Sequence, residues 1–288
     1  MNIRKILKIS AFTVLSIALV AALGLGAFIY KVRYGFNFYE TTAPELPADL
    51  KSPAVLLFSK TNGFRHGEAI EASRPAFRQI AKVNGWSLYD TDNGAVFNPE
   101  QLSRFEVVIW NNVSGKVLNE EQRQHFKAFL ENGGGFVGIH AAGDNSHQWE
   151  WYENKVIGAH FSHHPIAPQI QEAELNLETN LSITDLSKDL PQSWLHADEW
   201  YMFYDNPRNN GAQVLYMLDE SNINPSGNMG FLATDKDWGM GDDHPIVWYK
   251  TVGQGKAFYS ALGHQGAAFQ EEDYITLLGN AIRWAGDL

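Results

Sequence analysis

The sequence predicts an α/β domain with a flavodoxin-like, doubly wound, mostly parallel sheet, set behind one N-terminal transmembrane helix. Three observations predict it. Short, mainly apolar runs (AVLLFS at 54–59, FEVVIW at 105–110, FVGI at 136–139) have the composition of strands buried on both faces. Helical sequence separates them, so the order up to Ile139 reads β, α, β, short α, β, α, β, the alternation of a parallel sheet. An uncharged run of 22 residues, Ile9 to Tyr30, is long enough to cross a bilayer, which needs about 20 apolar residues.

That run follows Arg4, Lys5 and Lys8 and ends at Lys31 and Arg33. It exceeds the roughly 7 to 15 apolar residues of a cleaved signal, although Ala22, Gly24 and Gly26 leave a cleavage site open. No cysteine is present, so a lipid-modified N-terminus is excluded. The slight excess of basic groups before the span favours an inside N-terminus. Residues 1–33 are therefore expected to be an uncleaved anchor, with the domain outside the cytoplasm, periplasmic or at the cell surface, and secreted if cleavage occurs. Residues 34–52, with Pro44 and Pro47 and no periodicity, read as a linker, and residues 53–288 as one domain without disulfides.

Charge narrows the partners. Five of the 22 Lys and Arg lie in the first 33 residues, leaving 17 against 33 Asp and Glu. So acidic a domain argues against nucleic acid and against adhesion to anionic lipid, and favours a small neutral or cationic ligand.

Within the domain, a helix is expected from Ser73-Arg74-Pro75 to Asn84, stopped by Gly85, and a strand over Trp86–Tyr89. Asn119 followed by Glu120, Glu121 and Gln122 predicts a capped helix to Leu130, and Gly133-Gly134-Gly135 a reversal into the strand ending at His140. Tyr152–Ala159 reads as helical, Gln169–Leu177 as a half-exposed strand, and Val214–Leu218 as a short one. His244–Tyr249 and Lys256–Ala261 form a hairpin pattern, and Ile275–Ala285 an amphipathic helix.

Ligands of open α/β sheets bind beyond the carboxyl ends of the strands. Four strand ends would meet there: Phe64 to His66, Thr91 and Asp92, Asn111 to Ser114, and His140 to Asp144. His140 occupies the place of a strand-to-helix nucleophile elbow, flanked by small residues. Without cysteine, thiolate amidotransferase chemistry is excluded.

Several motifs carry a resemblance: Phe64-Arg65-His66; Gly134 to His140; Phe161 with His164-Pro165; Asp198-Glu199-Trp200-Tyr201; His244-Pro245 with Trp248; and Phe258 to His264. From about Ala54 to Ala285 the chain resembles the trehalose-utilisation (ThuA-like) family. The resemblance implies a class I glutamine amidotransferase-like fold lacking the amidotransferase nucleophile, and a role in carbohydrate metabolism, on a glycoside, disaccharide or 3-keto-sugar.

Such chemistry needs groups that exchange protons near neutral pH. His140, Glu199 and His264 are the proton-transfer candidates, with Asp144 orienting a histidine and Arg65 or His66 binding a hydroxyl or oxyanion. Phe64, Asn111, Tyr201, His244 and Trp248 complete the expected substrate-binding set. Trp149, Trp151, Trp194, Trp200 and Trp238 are further rings that could stack on a sugar. His140, Glu199 and His264 could instead hold zinc or manganese, converging from separate loops because no helical H-x-x-x-H or H-E-x-x-H spacing exists. His163 and His164 project differently and read as a polar loop turned by Pro165. No nucleotide cofactor is expected, since no G-x-G-x-x-G follows the first strand. The alternative is a membrane-tethered, non-catalytic sugar-binding or scaffold protein.

Overall fold

The computed structural model describes residues 3–179, 185–228, 230 and 234–288. The chain opens with α1 (Ile3–Tyr34), within which Ile9–Lys31 is long and apolar enough to span a membrane and has no buried residue. Then follow β1 (Ala54–Phe58), α2 (Gly67–Asn84), β2 (Ser87–Thr91), the single-turn α3 (Pro99–Leu102), β3 (Val107–Asn111), α4 (Glu120–Glu131) and β4 (Gly135–Ile139). Every residue of β1, β3 and β4 is buried, as their unbroken apolar composition requires.

The second half supplies β5 (Phe161–His163), β6 (Gln171–Leu177), β7 (Ser193–Asp198), β8 (Met202–Phe203), β9 (Gln213–Leu218), β10 (Pro245–Val252), β11 (Gly255–Ser260) and α5 (Glu272–Gly286). Nine strands form one sheet in the order β2-β1-β3-β4-β11-β10-β9-β6-β7. Parallel pairing joins β2, β1, β3, β4 and β11, while the strands beyond β11 pair antiparallel. The sheet is thus mixed. Sequence pattern marks the β10–β11 hairpin but not its insertion beside β4, because a hairpin's pairing partners outside itself leave no local signature.

Side chains of β4 alternate between two packed faces. Phe136 meets Phe126 of α4, which stacks on Trp110. Gly135 lies on the other face, where a Cβ would come within 2.5 Å of the Ala285 carbonyl of α5. The glycine reversal before β4 is as expected, with Gly133 at φ 112°.

Two elements differ from the sequence reading. α2 starts at Gly67, not at Ser73, and carries Pro75 in its interior. The amide that proline lacks would have bonded the carbonyl of Glu71, an exposed residue whose oxygen can turn to water. Tyr152–Ile157 winds as a π-helix closed by Gly158 in a left-handed conformation. The segment expected as linker also lies on the domain at its start: Phe36 N–H donates to Asn62 O, and Lys60 Nζ to Phe38 O, at 2.9 and 2.7 Å.

At the start of α4, Asn119 accepts from Gln122 N–H and Gln122 returns a bond to Asn119 N–H, each at 2.9 Å. Gln122 also donates to Glu40 O. Asn119→Ala should destabilise the domain by about 1 kcal/mol, lowering its melting temperature by roughly 2–4 °C in a thermal scan.

Candidate active site

β4 delivers His140 to the carboxyl edge of the sheet, where the residue turns with φ 47°. A non-glycine residue held there stores about 1–3 kcal/mol of strain, so neighbours must fix it. They do so from β11: Tyr259 hydroxyl donates to His140 O at 2.8 Å, and His140 Nδ1–H donates to Ala261 O at 2.7 Å. Because a carbonyl only accepts, the proton of a neutral His140 sits on Nδ1. Its Nε2 then carries the lone pair and faces the buried Glu199 carboxylate and the His264 ring.

Three ligand-type atoms meet at that point. His140 Nε2 lies 3.2 Å from His264 Nδ1 and 3.3 Å from Glu199 Oε2, and His264 Nδ1 lies 3.2 Å from the same oxygen. The triangle is nearly equilateral. Metal–nitrogen and metal–oxygen bonds of about 2.0–2.1 Å in tetrahedral geometry put neighbouring ligands roughly 3.3 Å apart, so one ion could cap all three. His66, at the cap of α2, is the fourth member: its ring stands edge-on to those of His140 and His264, 4.9 Å from each, and one donor atom of every member lies within 4.8 Å of the others. Nδ1 of His66 is buried without a partner.

Electrostatics suit the same role. Burial, reinforced by the neighbouring His140 and His264, pushes His66 down to about 2, so it stays neutral and keeps its lone pair. Burial would raise the Glu199 carboxyl, but hydrogen bonds from His140 and His264 outweigh it and hold the group well below the usual carboxylate range. Burial would lower His140, and its bond with Glu199 reverses this, so the ring is held protonated against the carboxylate. A divalent cation would displace that proton.

Asp198, adjacent to Glu199, points the other way. Buried completely, it accepts hydrogen bonds from the backbone N–H groups of Glu199 (2.8 Å), Gly263 (2.7 Å) and His264 (3.1 Å), and from His196 Nε2 (3.2 Å). Gly263, at φ 103°, takes the turn that brings both loop amides to this carboxylate. The clamp fixes the loop carrying His264 against the strand end carrying Glu199.

A cavity of about 420 Å³ opens over the cluster. Its wall includes Phe64, His66, Asp144, Phe161, His164, Gln169, Glu199, Tyr201 and His264. The Tyr201 ring packs 4.3 Å from that of His140. A groove of about 520 Å³ bordered by Phe105, Phe129 and Gly134 lies at the opposite, amino edge of the strands, where no comparable cluster of titratable groups converges among the described residues. Chemistry, not size, selects the smaller cavity.

Of the expected residues, His66, His140, Glu199, His264, Phe64 and Tyr201 therefore meet. Others do not. Asn111 is buried, donating to Ser59 Oγ and accepting from Ser73 Oγ, each at 3.0 Å. His244 spans Glu220 and Tyr201 O, at 2.6 and 2.8 Å, and so braces the segment that carries Tyr201. Trp248 is a core residue whose indole donates to Ile157 O. Arg65 pairs with Glu71 on the surface instead of lining the cavity. Asp144 does line it, with its carboxyl raised by burial, but its oxygen is bonded by Ser146 N–H and Oγ; the orienting partner of His140 is Ala261 O. Among the described residues no tryptophan borders the cavity; its aromatic wall is phenylalanine, tyrosine and histidine.

Sequence reasoning missed His164 and Gln169. His164 Nδ1 lies 3.1 Å from Glu199 Oε1, and Gln169 Nε2 donates to the same oxygen. His163 turns away to Ser162 and Pro225 O. Opposite projection of the two rings was expected; that one of them reaches the site depends on β5 ending at His163, which the adjacency conceals.

Comparison with known proteins places this geometry. The profile of a family described as "Trehalose utilisation" (ThuA) matches residues 54–285. A ThuA-like protein from Bacteroides uniformis superposes with a TM-score of 0.67 at 26% identity, covering 85% of this chain and 95% of that one. A ThuA-like protein from Parabacteroides merdae gives 0.60 at 20% identity, over 82% and 90% of the two chains. A β-galactosidase from Bacillus circulans shares the fold at a TM-score of 0.50 and 14% identity, over 82% of this chain but 32% of its own. Comparison with curated proteins finds no match.

The clamp makes stability depend on pH. Burial would lower His196, but hydrogen bonds to Asp198 and to Glu271 (2.8 Å) outweigh it and push the ring up to about 9. A folded pKa above the unfolded value of about 6.5 gives stability that is complete below pH 6.5 and lost as pH rises through 9. The shift corresponds to on the order of 3 kcal/mol. Wild-type melting temperature should fall across that window, and His196→Gln should melt lower at pH 6 with the slope largely removed.

Proposed function

Because this chain belongs to the trehalose-utilisation (ThuA-like) family, we propose that its domain is a metal-assisted enzyme of carbohydrate metabolism, acting on a glycoside, disaccharide or 3-keto-sugar. The observation that carries this reading is the triangle of His140, His264 and Glu199 with edges of 3.2–3.3 Å, joined by the neutral His66, one ring nitrogen of which lies within 4.8 Å of the other donor atoms. A bound divalent ion would polarise a sugar carbonyl or hydroxyl and lower the pKa of its proton.

The chain's own groups divide the remaining work. His140, Glu199 and His264, first considered as proton carriers, make a better ligand set, because their reacting atoms face one another and not the open cavity. His164 and Asp144 are the titratable side chains left along the wall, and one of them would move the substrate proton. His164 shares the Glu199 carboxylate from its other oxygen, so its position is tied to the ligand set. Phe64, Phe161 and Tyr201 offer ring faces to the apolar face of a sugar. Amidotransferase chemistry stays excluded, as the elbow position holds His140 and the chain has no cysteine. We read Ile9–Lys31 as an anchor that holds the domain outside the cytoplasm.

The test is metal analysis of the full chain purified without chelator, with incubation against trehalose-type disaccharides and their 3-keto forms followed by mass spectrometry. About one divalent ion per chain is expected, with turnover that chelation abolishes and zinc or manganese restores. His140→Ala and Glu199→Ala should each lower turnover at least ~100-fold and lose the ion. Saturable sugar binding with neither metal nor turnover would overturn the enzyme reading in favour of a tethered binding protein.

A further inference from the structure

The wall of the cavity is completed from outside the domain. Phe28, on α1, lines it together with Phe64 and Phe161. Phe28 stands three residues before Lys31, the end of the apolar span, which is roughly 4–5 Å along a helix axis.

The chain leaving α1 is fastened to the cavity's rim with no free spacer. A Cβ at Gly35 would lie 2.9 Å from Asn62 O, Phe36 N–H donates to that same oxygen, and Asn62 Nδ2 donates to Phe38 O at 3.0 Å. Asn62 belongs to the loop that carries Phe64 and His66. Helix, rim and metal-type ligand are thus joined within a few residues. Phe64, which lines the cavity, Phe36 and Phe38, whose backbone is bonded to Asn62 two residues before Phe64, and Ile166, two residues after the lining His164, are all exposed large apolar side chains. Clustered apolar exposure of this kind marks a surface that meets something other than water.

If Ile9–Lys31 crosses a bilayer, these side chains sit at its surface. The domain's acidic charge opposes adhesion to anionic lipid, so the covalent helix, not electrostatics, would hold the mouth there. We propose that the cavity opens onto the membrane interface and receives the sugar headgroup of an amphiphilic glycoside whose apolar tail stays among the lipids beside Phe28. This deepens the carbohydrate reading given above and rests on it for the headgroup, and on Ile9–Lys31 remaining attached.

Absence of cysteine from the chain makes the test direct. The full chain, reconstituted in vesicles of phosphatidylethanolamine and phosphatidylglycerol, would carry one nitroxide at Phe64→Cys, Ile166→Cys or Val83→Cys. Val83 is exposed near the far end of α2, whose first turn is at the cavity. Accessibility to oxygen relative to a water-soluble nickel chelate should be at least ~3-fold higher at Phe64 and Ile166 than at Val83. On the unlabelled chain in the same vesicles, ligand-observed NMR should give hexyl β-glucoside at least ~10-fold higher affinity than methyl β-glucoside, a preference lost in Phe28→Ser. Equal accessibility at the three positions, equal affinity for the two glycosides, or a mature chain beginning after Phe28 overturns the proposal. Membrane-level labels with no binding of either glycoside would overturn the carbohydrate headgroup while leaving the membrane placement standing.

Discussion

Asp198 receives four hydrogen bonds in a place from which water is excluded: three from backbone amides of Glu199, Gly263 and His264, and one from His196. Burying a carboxylate is costly unless its charge is met this fully, and the site depends on its being met. Through it the end of β7 and the loop after β11 share one anchor, so Glu199 and His264 hold a fixed separation. Without it, two loop amides and a histidine would be left facing each other with no acceptor. The ligand spacing would then be set by loops instead of by the sheet, and preorganisation of a site is lost with small displacements.

The clamp also explains why three imidazoles tolerate each other at close range. His140 and His264 both address Glu199, whose carboxylate is the nearest negative charge, while Asp198 adds a second negative charge behind them. His66 has no such partner and remains neutral. A buried polar group without a partner marks a network that is incomplete as protein alone. A divalent ion on the triangle, as proposed above, would accept the lone pairs that hydrogen atoms cannot meet.

Legibility in the sequence followed range. β1, β3 and β4 were readable because each is an unbroken apolar run, and Asn119 because its cap lies within three residues of its partners. His140, Glu199 and His264 were readable as a set because each ends a strand in a polar motif. What could not be read is the far partner of a side chain. Asn111, His244 and Trp248 looked like ligands for substrate and are ligands for the protein: Ser59 and Ser73, Glu220 and Tyr201, Ile157. Nothing adjacent to them in sequence distinguishes the two fates. Phe28 was hidden for a related reason, since a residue in an apolar span has no periodic cue that it also borders a cavity.

β11 lies at the middle of the sheet yet is the last strand to leave the ribosome. Parallel pairing with β4 joins residues more than 100 positions apart, and such long-range contacts form slowly. During synthesis β4 waits with one edge unpaired. The protein therefore has a long interval in which an apolar strand is exposed and the cluster of His140, Glu199 and His264 is not yet assembled. Completion of the chain closes the edge and assembles the cluster in the same event, so a chain cut short before the hairpin would both lack the cluster and be prone to aggregate.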